Sequence, residues 1–186
     1  AFVANIPDKA EILMERFWPG PLTIIFNKKP GVLSEKATAG LNTVAVRMPD
    51  HPVPLALLQV CQLPIAAPSA NSSGKPSPTN AQHVIEDLNG KIAGVLDGGS
   101  TGVGVESTVL DCTEEIPIIL RPGGVTKEQL EAVVGEVQLD AALLDEASKP
   151  KAPGMKYQHY APNAPLYLVN GSQSFLQSLI EEKQKE

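Results

Sequence analysis

The chain has 186 residues, of which 42% are hydrophobic and 19% are charged, with a net charge of −6 and a pI near 5.1. This is the composition of a globular protein, and its acidic balance argues against bulk electrostatic binding to nucleic acid, although a local basic groove is compatible with it. Its apolar runs are too short to span a membrane, and no signal peptide opens the chain. The cysteines, Cys61 and Cys112, indicate buried free thiols in a reducing cytoplasm.

Hydrophobic periodicity and turn residues predict an α/β fold with a mixed sheet. In chain order the pattern predicts a helix over 7–18, strands over 22–26 and 43–48, a helix over 52–60, a strand over 65–67, a helix over 79–88 capped by Thr79, strands over 92–96, 106–111 and 116–120, a helix over 126–134 capped by Thr126, a strand over 165–171 and a helix over 172–185. The strands over 106–111 and 116–120 are adjacent in sequence, which favours an antiparallel hairpin.

The pattern also divides the chain into three parts. Residues 1–137 are expected to form one α/β domain, and residues 138–164, small and charged at first, are expected to form a linker. Residues 165–186 hold one strand and one helix, which is too little for a domain, so they are expected to begin a second α/β domain that is cut off.

The segment over 63–79 is the most informative part of the chain. The apolar run over 63–67 predicts a buried strand, and four serines, Asn71 and Lys75 follow it. Hydroxyls, amides and free N–H groups suit phosphate or carboxylate oxygens, and ligands of open α/β sheets bind at the carboxyl ends of strands. A plain polar loop of turn-forming residues is the alternative interpretation.

Four further polar clusters are expected at strand ends: Thr43/Arg47, the glycine-rich run over 98–104, Ser107/Thr108 and Arg121. Each arginine either caps the surface or binds an anion. The glycine-rich run fits neither common nucleotide-binding pattern. Because no nucleophile–base pair and no metal cluster stand out, the residues indicate an anion or nucleotide site that acts by positioning and charge stabilisation.

Several segments resemble the YrdC-like family: residues 17–23 (FWPGPLT), 44–49 (VAVRMP), 67–74 (APSANSSG), 105–109 (VESTV) and 120–123 (LRPG). Residues 153–162 (PGMKYQHYAP) resemble the linker of its long, two-domain form. The resemblance implies that residues 1–137 are a catalytic domain, incomplete at its N-terminus, with a twisted mixed sheet around a concave cavity. It also implies synthesis of threonylcarbamoyl-AMP from L-threonine, bicarbonate and ATP with Mg²⁺, which releases pyrophosphate and serves threonylcarbamoyladenosine modification of tRNA.

The resemblance further implies residue roles. The expected ATP-binding residues are Thr43, Ser69, Asn71, Ser77 and Arg121. The expected threonine-binding residues are Arg47, Ala67 and Ser107, and the linker residues expected to close over the cavity are Tyr157, His159 and Tyr160. No protein ligand to a metal is expected. Partner proteins of tRNA modification and a contact with tRNA are implied, with a cytoplasmic location and no membrane partner.

The chain departs from the family pattern at one place. The K-x-R motif, whose cations face the ATP phosphates in the family, does not precede residues 17–20, so no residue is assigned as catalytic. We therefore expect a fragment that lacks core strands, has an exposed sheet edge and is poorly active. A non-catalytic RNA-binding module of the same fold and a carbamoyl-transfer relative are the alternatives, and the linker motif argues against the latter.

Overall fold

The structure is a computed structural model, and it describes residues 2–143 and 167–184. The helices are α1 (Asp8–Phe17), α2 (Pro52–Cys61), α3 (Ala81–Leu88), α4 (Lys127–Val134) and α5 (Gln173–Lys183). The strands are β1 (Leu22–Asn27), β2 (Thr43–Val46), β3 (Thr108–Asp111), β4 (Ile118–Arg121) and β5 (Gln138–Leu139), and a 3-10 turn covers Ala141–Leu143. The predicted mixed α/β class is confirmed.

The five strands form one twisted sheet in the order β2-β1-β3-β4-β5. The pairs β1–β2 and β3–β4 are antiparallel, as predicted for the second pair, whereas β1–β3 and β4–β5 are parallel. The starts of β1 and β3 therefore lie at the same edge of the sheet as the ends of β2 and β4. The strand β5 lies at the start of the segment predicted as a linker.

Helices α1 and α4 cover one face of this sheet. Leu22, Ile24 and Phe26 alternate along β1 and pack with Leu13 of α1 and Leu130 of α4 in the main core. The helices form where the sequence predicts them, because their apolar residues recur at helical spacing. Alternate β1 residues point to the opposite face, which leaves that face for a site.

The predicted N-terminal cap of α4 is confirmed, whereas the predicted cap of α3 is wrong. Thr126 and Gln129 form a capping box at α4. The cap of α3 is Asn80, whose side chain accepts from the His83 amide, so the prediction of Thr79 is wrong by one residue. Asn80 has the short acceptor that this geometry needs, while the Thr79 hydroxyl contacts the His83 ring instead.

Two predicted strands, over 63–67 and 92–96, are wrong: both segments are irregular and exposed. Residues 167–170, inside a third predicted strand, are irregular too. A strand needs a neighbour to satisfy its backbone groups, and the described residues provide none for these runs. Helix α2 also has no buried residue, so Cys61 is exposed, contrary to expectation, whereas Cys112 is buried.

A search of the described residues for helices that are long and apolar enough to cross a membrane found none.

Candidate functional site

Two arginines come together at the edge of the sheet. Arg47 follows the end of β2, and Arg121 is the last residue of β4. Partial burial lowers the pKa of Arg47 below its usual value, and the positive charge of Arg121 lowers it further. Neither guanidinium pairs with a carboxylate anywhere in the described ranges. Two neighbouring cations without a counter-charge repel each other, and a bound anion relieves that repulsion.

Ser107 fixes the position of Arg121. The Arg121 guanidinium donates to the Ser107 carbonyl oxygen from Nε at 3.2 Å and from Nη2 at 2.9 Å, and Nη2 also lies 3.2 Å from Ser107 Oγ. The Ser107 hydroxyl also lies 2.7 Å from Thr23 Oγ1, and the residue is buried. Thr23 was missed by the sequence analysis, because only the parallel pairing of β1 with β3 brings it to Ser107.

The backbone around Ser107 requires a glycine on the neighbouring loop. A Cβ at Gly123 would lie 2.4 Å from both the Glu106 carbonyl oxygen and the Thr108 nitrogen. The loop after Arg121 therefore packs directly on the backbone that carries Ser107. Thr108 tightens this contact, since its hydroxyl donates to the Val125 carbonyl oxygen at 2.6 Å.

A cleft of about 380 Å³ lies beside these residues. Ser77 and Glu106 both line this cleft, and Ser77 Oγ donates to Glu106 Oε1 at 2.6 Å. Because Glu106 directly precedes Ser107, this bond connects the serine-rich segment to the arginine pair. The residues that line the cleft are Pro76, Ser77, Pro78, Thr79, Thr101, Gly104, Val105 and Glu106. Glu106 was not predicted as a site residue, although it lies in the 105–109 motif directly before Ser107.

Asn71 holds a buried polar acceptor that no group in residues 2–143 or 167–184 uses. Its Nδ2 donates to the carbonyl oxygens of Ser72 and Lys75, each at 3.0 Å, and these two bonds fix the orientation of the amide. The opposite atom, Oδ1, is buried and has no hydrogen-bond partner in the described part of the chain. A buried acceptor of this kind is costly unless a ligand or water donates to it.

The remaining predicted residues are placed differently. Thr43 begins β2 and so lies about 13 Å along the strand from Arg47, at the opposite edge of the sheet. Ser69 and Ala67 are exposed on the irregular segment that was expected to be a strand. The predicted linker residues Tyr157, His159 and Tyr160 lie outside the described residues.

The Lys75 ammonium is paired with a carboxylate of the same chain. Its Nζ forms an ion pair with Asp87 Oδ1 of α3 at 2.9 Å. The hydrogen bond from Lys75, together with one from the Ser72 amide, holds the pKa of the Asp87 carboxyl below its usual value. Lys75 therefore already has a carboxylate partner in the folded chain.

The site holds no protein cage for a metal. Among residues 2–143 and 167–184 no three His, Cys, Asp or Glu side chains cluster as metal ligands do. Glu106 is the single carboxylate among the residues that line the cleft. This donor set fits Mg²⁺ as that ion usually reaches nucleotide sites, with one or two carboxylates and the substrate phosphates as ligands.

The sequence of the chain matches two protein-family models. Residues 1–123 match the Sua5_yciO_yrdC family model, described as telomere recombination, and residues 125–186 match the model of the threonylcarbamoyl-AMP synthase C-terminal domain. The threonylcarbamoyl-AMP synthase of Bacillus subtilis is 62% identical over 96% of the chain and 52% of the relative. The corresponding protein of Pyrococcus abyssi is 52% identical over the same shares.

A solved structure has a similar sequence identity to this chain. The crystal structure of P. abyssi Sua5 complexed with L-threonine superposes with a TM-score of 0.88 at 51% identity, over 98% of this chain and 54% of that one. The chain thus spans about half the length of the relatives that it matches. Sequence, fold and site geometry together show that the chain belongs to the Sua5/YciO/YrdC family.

Proposed function

We propose that the chain is part of a threonylcarbamoyl-AMP synthase that acts in threonylcarbamoyladenosine modification of tRNA. In this reaction the amine of L-threonine and bicarbonate give a carbamate and water. A carbamate oxygen then bonds to the α-phosphorus of ATP, the bond to the bridging oxygen breaks, and pyrophosphate leaves with the electron pair. The names of the relatives and the bound L-threonine of the P. abyssi structure support this assignment.

The observation that carries the proposal is the pair of arginines beside Ser107, neither of which has a carboxylate partner among the described residues. The chain has three arginines, and two of them face one site. The reaction brings two anions together, the threonine carboxylate and the triphosphate, and two fixed guanidinium groups suit that task. Arg47 is proposed to bind the carboxylate, and Arg121, held by Ser107, is proposed to contact ATP.

Other residues are proposed to complete the site. The buried acceptor of Asn71 and the cleft beside Ser77 support a nucleotide that donates a hydrogen bond at one end and lies along the cleft. Further ATP contacts are assigned to Thr43 and Ser69, further threonine contacts to Ala67 and Ser107, and closure over the site to Tyr157, His159 and Tyr160.

The cofactor and setting follow from the same proposal. Mg²⁺ would arrive with the ATP phosphates and neutralise their charge, with Glu106 as the nearby carboxylate. The free thiols, exposed Cys61 and buried Cys112, suit a reducing cytoplasm. Burial, above all, raises the pKa of the Cys112 thiol to about 12, so this thiol is unreactive. Partner proteins of tRNA modification and a contact with tRNA belong to the proposal as well.

Calorimetric titration with L-threonine and with Mg-ATP tests the proposal, followed by pyrophosphate release with threonine or bicarbonate omitted. We expect both ligands to bind, and any pyrophosphate release to need both co-substrates. Arg47→Ala should weaken threonine binding by at least about tenfold, or ~1.4 kcal/mol. Arg16→Ala is the matched control, because Arg16 is an exposed residue of α1 and its replacement changes the net charge by the same amount. A chain that binds neither ligand contradicts the proposal.

A further inference from the structure

Residues 71–75 form a turn that closes on itself. The Lys75 amide donates to the Ser72 carbonyl oxygen at 3.1 Å, and the Asn71 side chain donates to the carbonyl oxygens of Ser72 and Lys75. Gly74 supplies the left-handed backbone of the turn, with φ at +86°. These contacts leave Asn71 Oδ1 facing the other way, buried and without a protein partner in the described ranges.

Asp87 of α3 holds this turn from outside. Its carboxylate accepts from the Ser72 amide at 3.0 Å and from Lys75 Nζ at 2.9 Å. Its backbone carbonyl accepts from Ser72 Oγ at 3.3 Å and from Lys91 Nζ at 3.2 Å. Three of these four bonds go to the turn, so a single residue of the helix fastens both ends of it.

The burial of the two charged partners differs. The Asp87 side chain is 12% exposed, whereas that of Lys75 is 47% exposed. The carboxylate is therefore the inner, fixed partner and the ammonium the outer one. A substitution of Asp87 would release the Ser72 amide, whereas a substitution of Lys75 would leave that bond in place. The two contributions can thus be separated by experiment.

We propose that Asp87 is a positioning residue for the nucleotide: it keeps the 71–75 turn in the shape that presents Asn71 Oδ1 to the ligand. This inference rests on the proposed function, because it concerns the ATP-binding part of that site. Asp87 touches no ligand and acts through Ser72 and Asn71. Ser77, two residues beyond the turn, lines the cleft, so displacement of the turn would also move the cleft wall.

The test is calorimetric titration of the whole 186-residue chain with Mg-ATP, in the wild type and in matched variants. Asp87→Ala should raise the Kd for Mg-ATP by roughly tenfold, since loss of one well-placed hydrogen bond to the ligand changes affinity by about that factor. Lys75→Met should have a smaller effect, because the bond from the Ser72 amide remains. Glu86→Ala, next to Asp87 and bonded only to Gln82, should change the Kd less than about twofold.

Hydrogen exchange at the Ser72 amide provides a readout that does not depend on the ligand. Asp87→Ala should increase exchange at Ser72, while the amides of β1 and β3 keep their protection. Asp87→Glu, which restores a carboxylate, should recover part of the affinity. Together, the exchange rates and the affinity of Asp87→Glu distinguish displacement of the 71–75 turn from unfolding of the chain.

The outcomes distinguish the two hypotheses. Wild-type chain that binds no Mg-ATP refutes the proposed function, and the inference fails with it. Wild-type binding that Asp87→Ala leaves unchanged refutes the inference alone. An equal loss of affinity in Glu86→Ala, or loss of protection throughout the sheet in Asp87→Ala, also refutes it, because the effect would then be general.

Discussion

Replacement of Thr108 by valine should destabilise the fold strongly, although it preserves the shape of the side chain. Thr108 is fully buried, and its hydroxyl donates to the Val125 carbonyl oxygen at 2.6 Å and accepts from the Val125 amide at 3.0 Å. Valine can do neither. Because Val125 is only 4% exposed, water has little access to the two backbone groups that lose their partner.

The size of the effect follows from these two groups. Each unsatisfied buried backbone group costs about 1–3 kcal/mol, and the buried methyl group that replaces the hydroxyl returns about 0.8 kcal/mol. We therefore expect Thr108→Val to lower the free energy of unfolding by about 1–5 kcal/mol, against a total of about 5–15 kcal/mol for typical domains. The loop that carries Gly123 should loosen with it, because Val125 anchors that loop.

Urea unfolding followed by circular dichroism measures the effect. Thr113→Val is the control: the Thr113 hydroxyl lies 2.7 Å from Asp111 Oδ1, but both residues are partly accessible to water. We expect the control to lose less than about 1 kcal/mol. A loss below about 1 kcal/mol in Thr108→Val, or equal losses in the two variants, would refute the argument from buried backbone groups.

Three further predictions concern the loops and the exposed surface. Gly123→Ala should displace the loop after Arg121 and abolish Mg-ATP binding in a titration, because its Cβ would lie 2.4 Å from the Glu106 carbonyl oxygen. The control variant Gly102→Ala should bind Mg-ATP normally, because a Cβ at Gly102 would have no atom within 4 Å. Since the pKa of Asp87 is lowered in the folded chain, its contribution to stability is present above about pH 3.9 and is lost as the pH falls through the folded pKa. Asp87→Asn should therefore reduce the acid dependence of the urea midpoint, which Glu86→Gln should not. Lysine at three exposed apolar positions should raise the solubility limit measured by turbidity without changing the urea midpoint; the positions are Val60, Leu63 and Leu96, exposed by 83%, 68% and 70%.

The predictions that succeeded depend on neighbours in sequence. The apolar spacing of α1 and the capping box of Thr126 and Gln129 involve residues within a few positions of each other. The β3–β4 hairpin was predictable for the same reason. The strands expected over 63–67 and 92–96 failed because a strand also needs a partner, and an apolar run does not show whether one is present.

The candidate site was predictable only in part. Arg47, Ser107 and Arg121 carry motif signals, and the structure brings them to one edge. Thr23 lies in the 17–23 motif but was assigned no role there, because its contact with Ser107 spans 84 positions. The roles predicted for all of the site residues, Thr43, Ser69 and Ala67 included, and the division of the chain into three parts stay predictions.

The family, the α/β class and the segments that carry polar chemistry could be predicted from the amino-acid sequence, because motifs and short-range periodicity are local properties of the chain. Which charges remain available to a ligand depended on the folded arrangement of the chain. Lys75 lies in the serine-rich segment, and folding places the Asp87 carboxylate beside it, whereas Arg47 and Arg121 have no carboxylate partner among the described residues. Electrostatic interactions depend on distance in space and on burial, so only the folded chain fixes which group is neutralised and which can bind an anion.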